Sequence, residues 1–199
     1  MEALHEGCID KVTLGAYGAE HVRRTRGRRV TNPETQVASY FARYEPATAK
    51  LGKALRAKLR ARLPGLFEVV YVYESQHALV ISYSPTEKGY EALCSLALYP
   101  RCVKLYFTQS ALLSKSDPNK LLKGSGKMVR YVVLNAVADF DRAEIEALMA
   151  AALKLAKLRL DPRAKGSVII KAEAQKQRAG RAAKAARTAS PRRTAKARR

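Results

Sequence analysis

Long apolar runs are missing from this sequence. No stretch of 18 consecutive apolar residues occurs, and a helix that crosses a membrane needs about that length, so we expect no membrane span. Residues 1–6, MEALHE, lack the basic and then apolar build of a secretory signal. Both absences favour a cytoplasmic protein.

Cysteine and histidine are scarce. The three cysteines, Cys8, Cys94 and Cys102, are odd in number and have no paired spacing, which excludes a disulfide framework; we expect buried free thiols at Cys94 and Cys102. The three histidines have no regular spacing either, and no HExxH, CxxC or GxSxG motif is present. The sequence therefore predicts no catalytic residues, no metal site and no cofactor, and we interpret the protein as non-enzymatic.

Acidic residues are outnumbered. Asp and Glu total 17 against 38 Lys and Arg, which gives a net charge of +21. Residues 161–199 hold 13 basic and 2 acidic side chains, residues 34–160 hold 19 and 11, and residues 1–33 hold 6 and 4, so more than half of the excess lies in the last fifth of the chain. Such a charge attracts polyanions: nucleic acid, an acidic membrane surface or polyphosphate.

Two helices are predicted after a flexible lead-in, residues 1–32, that ends in an arginine cluster. Thr31 and Glu34 have capping-box spacing around Pro33, which predicts a helix start. A second helix restarts at Pro46, and its apolar stripe steps by four residues: Leu51, Leu55, Leu59 and Leu63. Its far side is predicted to be a basic solvent face, formed by Lys50, Lys53, Arg56 and Arg60.

After Leu63-Pro64-Gly65 the apolar period changes from four to two, which is typical of strands. Five strands are predicted, at 67–73, 78–83, 93–98, 103–107 and 129–134. The connections are too short for crossover helices, so the sheet is predicted to be an antiparallel meander. A last helix at about 142–158, capped by Asp139 or Asp141, completes an α+β domain over 33–160 whose helices cover one sheet face.

The composition of residues 161–199, which are rich in Ala, Lys and Arg, predicts a disordered basic tail. Its charged side chains recur every few residues with small spacers, so the tail can follow a phosphate backbone and gain affinity by counterion release. The candidate nucleic-acid-binding residues are Arg178, Arg181, Lys184, Arg187, Arg192, Arg193, Lys196, Arg198 and Arg199. A tail that serves only solubility is the alternative.

A glycine loop before the fifth strand is a candidate anion site. Its backbone N–H groups can form a nest, and basic side chains surround it; the candidate residues are Lys123, Gly124, Ser125, Gly126, Lys127 and Arg130. A P-loop is excluded, because Leu121 and Met128 stand where that motif requires Gly and Ser or Thr. A plain glycine turn with solvated lysines is the alternative.

Tyrosine is the main aromatic residue: there are ten, and no Trp. Four of them lie on predicted strands: Tyr71, Tyr73, Tyr83 and Tyr106. Their rings could stack on bases at an open sheet face, or they could belong to the core with their hydroxyls at its rim. We favour the core interpretation.

Three strings resemble the YdhG-like domain family. They are YVYE at 71–74, SPTE at 84–87 and LLKGSGKMVRY at 121–131. The resemblance covers roughly 34–158 and implies an α+β fold and a cytoplasmic protein. The family includes frataxin-like intracellular iron chaperones and many domains of unknown function.

Two functions follow as hypotheses. The first is a non-enzymatic binding module whose tail gives nonspecific nucleic-acid binding, with the arginine cluster at 23–29 as a second contact. The second is a frataxin-like iron or small-ligand carrier with an incidental tail.

Overall fold

The computed structural model describes residues 32–126 and 128–171. Four α-helices lie in this part of the chain: α1 (Pro33–Phe41), α2 (Pro46–Arg62), α3 (Ser110–Leu113) and α4 (Ala143–Leu155). Six strands lie there as well: β1 (Phe67–Tyr73), β2 (Ala78–Ser84), β3 (Cys94–Tyr99), β4 (Cys102–Thr108), β5 (Val129–Leu134) and β6 (Val168–Ile170). The predicted α+β class is confirmed.

The six strands form one mixed sheet in the order β5-β4-β3-β2-β1-β6. Strands β1 to β5 pair antiparallel with their sequence neighbours, as predicted. The prediction of five strands is wrong, because β6 adds to the free edge of β1 in parallel. β6 lies in the segment that the sequence analysis gave to the tail, where its three apolar residues stand among basic ones.

Helix α1 begins where its first orphan amide finds a side-chain acceptor. The Asn32 side chain accepts a hydrogen bond from the Glu34 amide at 2.9 Å, and Pro33 occupies the first turn, where its missing N–H costs nothing. The cap is therefore Asn32 and not Thr31, which lies outside the described residues.

Helix α2 packs closely on the sheet because of a glycine. A Cβ on Gly52 would lie 2.4 Å from Cδ2 of Leu98 on β3, so a larger residue here would force the buried Leu98 side chain to shift. Three residues of the predicted leucine stripe, Leu55, Leu59 and Leu63, are buried, and Leu51 is half-buried at the margin of the core.

Helix α4 begins without the predicted aspartate cap. Its N-cap is Arg142, which makes no side-chain capping bond. Asp139 instead accepts from the amides of Asn135 and Ala136 at 2.7 and 2.9 Å, which fixes a 3₁₀ turn at Val137–Asp141. Asp141 pairs with Lys58 of α2. The two aspartates thus hold the turn before α4 in place and do not cap the helix itself.

The main core lies between the four helices and one sheet face, which we call the helix face. It joins leucines of α2 and buried residues of α4 to the inward side chains of β1–β5. None of the helices in the described ranges has the length and apolar character needed to cross a bilayer.

The opposite surface of the sheet, which we call the outer face, is a second buried cluster. Among residues 32–126 and 128–171, its buried apolar part consists of strand residues: Val69, Tyr71, Ala78, Val80, Ala97, Tyr99 and Tyr106. Ser82, Ser95 and Lys104 share this face by strand register, and all three are buried.

The two described cysteines lie on different faces of the sheet. Cys94 packs in the main core and is a free thiol, which confirms the prediction. Cys102 belongs to the outer face and is disulfide-bonded, so the expectation of a free thiol is wrong there. Because the side chains diverge, they cannot form a shared thiol site.

Candidate functional site

The glycine loop is a narrow turn closed by a two-residue bridge. The Lys123 amide donates to the Tyr131 carbonyl at 2.7 Å, and the Tyr131 amide donates back at 3.0 Å. Gly124 has φ of 104°, a left-handed conformation that favours glycine. Strand β5 follows directly at Val129, so no helix N-terminus is available to hold a phosphate.

One basic side chain of this loop bonds to the loop itself. The Arg130 Nε donates to the Gly126 carbonyl at 3.3 Å, so this guanidinium reinforces the turn. Lys123, Gly124, Ser125 and Gly126 are exposed. Lys127 lies outside the described residues. The anion site stays a prediction.

A buried carboxylate orders the chain just before this turn. Asp117 is 8 % exposed, and its two oxygens accept from the amides of Leu121 and Leu122, both at 2.8 Å. Two bonds to a charged acceptor hold 117–122 in one conformation. Asp117 is not among the predicted site residues; the signal for its role is the Asp-Pro-Asn turn that it begins.

Helix α2 does not present the fully basic face that its sequence predicts. Arg56 is 11 % exposed at its side chain and pairs with Glu34 at 2.9 Å and with buried Glu68 at 2.5 Å. Arg60 pairs with Glu34 at 2.7 Å. Of the four residues predicted to form the basic face, Lys50 and Lys53 are exposed and take no part in these ion pairs.

The pKa values of this network report strong pairing. Burial opposes the charge on Arg56, but hydrogen bonds and attraction from Glu68 and Glu34 outweigh it and raise the pKa of Arg56. Burial likewise opposes the charge on Glu34, and Arg60 and Arg56 overcome it and lower the pKa of Glu34. The arginines of α2 are thus committed to internal carboxylates and offer little to an external phosphate.

The four candidate tyrosines divide between the two faces. Tyr83 is 1 % exposed on the helix face, whereas Tyr71 and Tyr106 are each 6 % exposed on the outer face. Tyr73 is half-buried there. The hydroxyls of Tyr99 and Tyr106 lie 3.0 Å apart. Their burial agrees with the core interpretation and leaves no row of open rings for stacked bases.

A cavity of about 360 Å³ opens at the β1–β2 end of the sheet. The Arg43 guanidinium contacts Glu74 at 3.1 Å and lies over the Tyr40 ring, and the Tyr44 hydroxyl donates to the His77 carbonyl at 3.0 Å. Burial raises the pKa of Tyr44 to about 12, so the hydroxyl stays protonated. His77 is a turn residue with φ of 47°. Two arginines, Arg43 and Arg101, and two glutamates, Glu45 and Glu74, line the cavity, so its formal charges balance and no excess of positive charge favours an anion.

The nucleic-acid-binding candidates from Arg178 to Arg199 lie outside the described residues, as does the arginine cluster at 23–29. The structure does fix the point from which the tail departs. The Glu68 amide donates to the Ser167 carbonyl at 2.9 Å, and the Lys171 amide donates to the Val70 carbonyl at 2.8 Å. Residues 167–171 are therefore held along the edge strand, and the tail continues from residue 172.

Residues 32–126 and 128–171 contain no group of three or more His, Cys, Asp or Glu side chains that could hold a metal ion. Comparison with protein-family models, curated proteins and solved structures finds no match. The resemblance to YdhG-like domains therefore stays a prediction.

Proposed function

We propose that this protein is a non-enzymatic binding module in which the α+β domain anchors a basic tail that binds nucleic acid without sequence preference. The single observation that carries the proposal is the separation of charge between domain and tail. Residues 172–199 hold ten basic residues and one acidic residue, Glu173. Such a segment attracts a phosphate backbone and releases its counterions on binding.

The ion pairs of α2 support the tail as the binding element. Within the domain, the guanidinium groups of Arg56, Arg60 and Arg62 contact Glu34, Glu68 or Glu146. A phosphate would have to displace these carboxylates, one of which is buried. The tail has no comparable stock of acids in its own sequence.

Strand β6 supports the idea of a tether. Its backbone bonds fix residues 167–171 to the sheet edge, and the Lys171 ammonium donates to the Glu87 carbonyl at 2.7 Å. The tail is thus joined to the domain through an ordered strand. We propose that whatever the domain binds is brought to nucleic acid in this way.

The test measures the affinity of the full chain for a short duplex across a salt series. The tail variant replaces Arg178, Arg181, Lys184, Arg187 and Arg192 with Gln. The logarithm of affinity falls with the logarithm of salt by about 0.9 per neutralised phosphate, so losing five contacts lowers the slope by about 4 to 5. Scrambling the duplex sequence is expected to leave the affinity unchanged.

A matched control removes the same charge from the domain. It replaces Lys50, Lys53, Lys115, Lys120 and Lys154, which are exposed, with Gln. We expect a small change in slope from this control. If both variants lose the same slope, net charge alone governs binding and the tail is no tether; if neither variant changes binding, or the full chain does not bind at physiological salt, the proposal is wrong.

A further inference from the structure

The outer face of the sheet is buried, although in the part of the chain that the structure describes its buried apolar residues all belong to strands. Val69 and Ala97 are 0 % exposed, Val80 is 4 % exposed and Lys104 is 1 % exposed. No helix residue in 32–126 and 128–171 belongs to this cluster. The 85–91 loop approaches this face at β1, where a Cβ on Gly89 would lie 2.3 Å from the Tyr71 hydroxyl. The centre of the face needs another layer of chain.

We propose that residues 1–31 form this layer, with the segment around Cys8 lying over the centre of the outer face. This gives the N-terminal segment a packing role in place of the flexible lead-in that its composition suggests. It makes the domain a three-layer structure: helices, sheet and an N-terminal cover.

Cysteine accounting selects this segment. Cys102 lies on the outer face and is disulfide-bonded, whereas Cys94 is free in the main core. The only remaining cysteine in the sequence is Cys8. Pairing of Cys102 with Cys8 would bring residues near position 8 onto β4.

Charge complementarity selects the same segment. The Lys104 ammonium lies 4.0 Å from the centre of the Tyr131 ring and 5.4 Å from that of Tyr99. These cation–π contacts stabilise part of its charge, and a buried ammonium is further stabilised by a carboxylate. Three acids flank Cys8 in the sequence: Glu2, Glu6 and Asp10.

Apolar content separates this segment from the tail. Residues 1–31 contain large apolar side chains that suit an apolar face: Leu4, Ile9, Val12, Leu14 and Tyr17. The only apolar residue type in 172–199, Gly and Pro aside, is alanine. Reach is no obstacle, because the chain between residues 8 and 32 can extend over about 80 Å, and a domain of this size is roughly 40 Å across.

The first experiment maps disulfides in the full-length protein after mild oxidation, without reductant, and measures its mass in solution. We expect a Cys8–Cys102 peptide in a monomer, and its persistence in a Cys94→Ser variant. A Cys102–Cys102 link in a dimer would assign the face to a second copy. That result, or the absence of any Cys8–Cys102 link, overturns the proposal.

The second experiment does not depend on the disulfide and runs in reductant. An amine-reactive reagent is expected to label Lys104 at least about tenfold more slowly than exposed Lys53 in the full chain. The double variant Ile9→Asp and Leu14→Asp loosens the cover, so the labelling of Lys104 rises toward that of Lys53. A matched tail variant, Ala182→Asp and Ala185→Asp, is expected to leave it slow. Three results would show that residues 1–31 are not the cover. Lys104 is labelled rapidly in the unaltered chain, or its labelling rises only in the tail variant, or its labelling rises in neither variant.

Discussion

Arg56 of α2 and Glu68 of β1 form a buried ion pair, with the Arg56 Nη2 2.5 Å and the Nε 3.1 to 3.2 Å from the carboxylate oxygens. Glu68 faces the helices, with its side chain 4 % exposed. This bidentate geometry is the one that offsets the cost of removing two charges from water. The pair joins α2 to the first strand of the sheet.

Replacing Arg56 with Met is expected to destabilise the protein strongly. The variant keeps an apolar stem of similar size but leaves the Glu68 carboxylate buried without its main partner, which costs about 3 to 5 kcal/mol. Urea unfolding measures the change. The control is Arg43→Met, which breaks the exposed pair with Glu74 and the contact with the Tyr40 ring and is expected to cost about 1 kcal/mol or less. Equal losses in both variants would show that Arg56 contributes no more than a surface arginine.

Glu34 gives this network an acid-sensitive part. Its pKa is lowered from the ordinary 4.5, because Arg60 and Arg56 outweigh the effect of burial. The unfolded chain therefore binds a proton more readily, so the stabilisation is present above about pH 4.5 and is lost as the pH falls below it. Glu34 is 42 % exposed, so we expect Glu34→Gln to flatten the acid side of the stability profile by less than about 1 kcal/mol. Parallel urea titrations at pH 3.5 and 6 test this, and an unchanged slope would contradict it.

The helix and strand order could be read from the sequence because apolar periodicity is local. The leucines of α2 step by four, and the run from Phe67 to Tyr73 is rich in β-branched and aromatic residues, so both elements were predicted close to their observed bounds. The pairing of Arg56 with Glu68 could not be read, because it depends on which face of β1 meets α2. An Arg on a helix looks solvent-exposed until its partner strand is placed.

The sixth strand and the outer face were missed for different reasons. Val168-Ile169-Ile170 is too short to predict a strand among basic residues; it forms because the edge of β1 offers free backbone groups. The outer face had a signal, since the runs at Ala78–Tyr83 and Leu93–Leu98 are almost continuously apolar. Such runs indicate strands that are buried on both faces, whereas the predicted helices cover one face only.

Asp117 is expected to be the residue on which the glycine loop depends. Asp117→Ala removes two acceptors and leaves the amides of Leu121 and Leu122 unsatisfied, one of them in a buried residue. Each hydrogen bond to a charged group contributes about 1.5 to 3 kcal/mol, so we expect the loss of both to cost about 3 kcal/mol or more. Amide exchange at residues 121 and 122 rises if the account is correct. Unchanged exchange at both amides would show that the loop is held by other contacts; Asn119→Ala, a change at an exposed neighbour, serves as the control.

Cys94 is expected to be inert in the folded protein and to weaken folding at high pH. Burial raises the pKa of its thiol from 9.0 to about 12, so iodoacetamide at pH 8 labels it only after unfolding. Above pH 9 the unfolded chain loses this proton and the folded chain keeps it, so stability falls as the pH rises toward 12. Between pH 8 and 10 this contribution is about 1 kcal/mol, and Cys94→Ala removes it. If the variant and the unaltered chain lose the same stability over this interval, the thiol does not titrate as described.

Gly166 is expected to control whether β6 docks. A Cβ at this position would lie 2.1 Å from the Leu66 carbonyl oxygen, a backbone atom that cannot rotate away. Gly166→Ala therefore either separates β6 from β1 or strains the backbone of both segments, at a cost of about 1 to 3 kcal/mol. The amides of Glu68 and Lys171, which bond to Ser167 and Val70, are expected to lose protection from exchange.

Ser167→Ala is the matched control, because Ser167 is exposed and contributes its backbone carbonyl to the pairing. It is expected to leave both the unfolding midpoint and the two amides unchanged. If Gly166→Ala also leaves the unfolding midpoint and the two amides unchanged, residues 167–171 are not held by pairing with β1. Nucleic-acid binding by Gly166→Ala gives a separate measurement. If the tail binds through its own charge, the salt dependence of the affinity is unchanged even when β6 no longer pairs with β1. Loss of strand pairing and loss of nucleic-acid binding can therefore be distinguished in one variant.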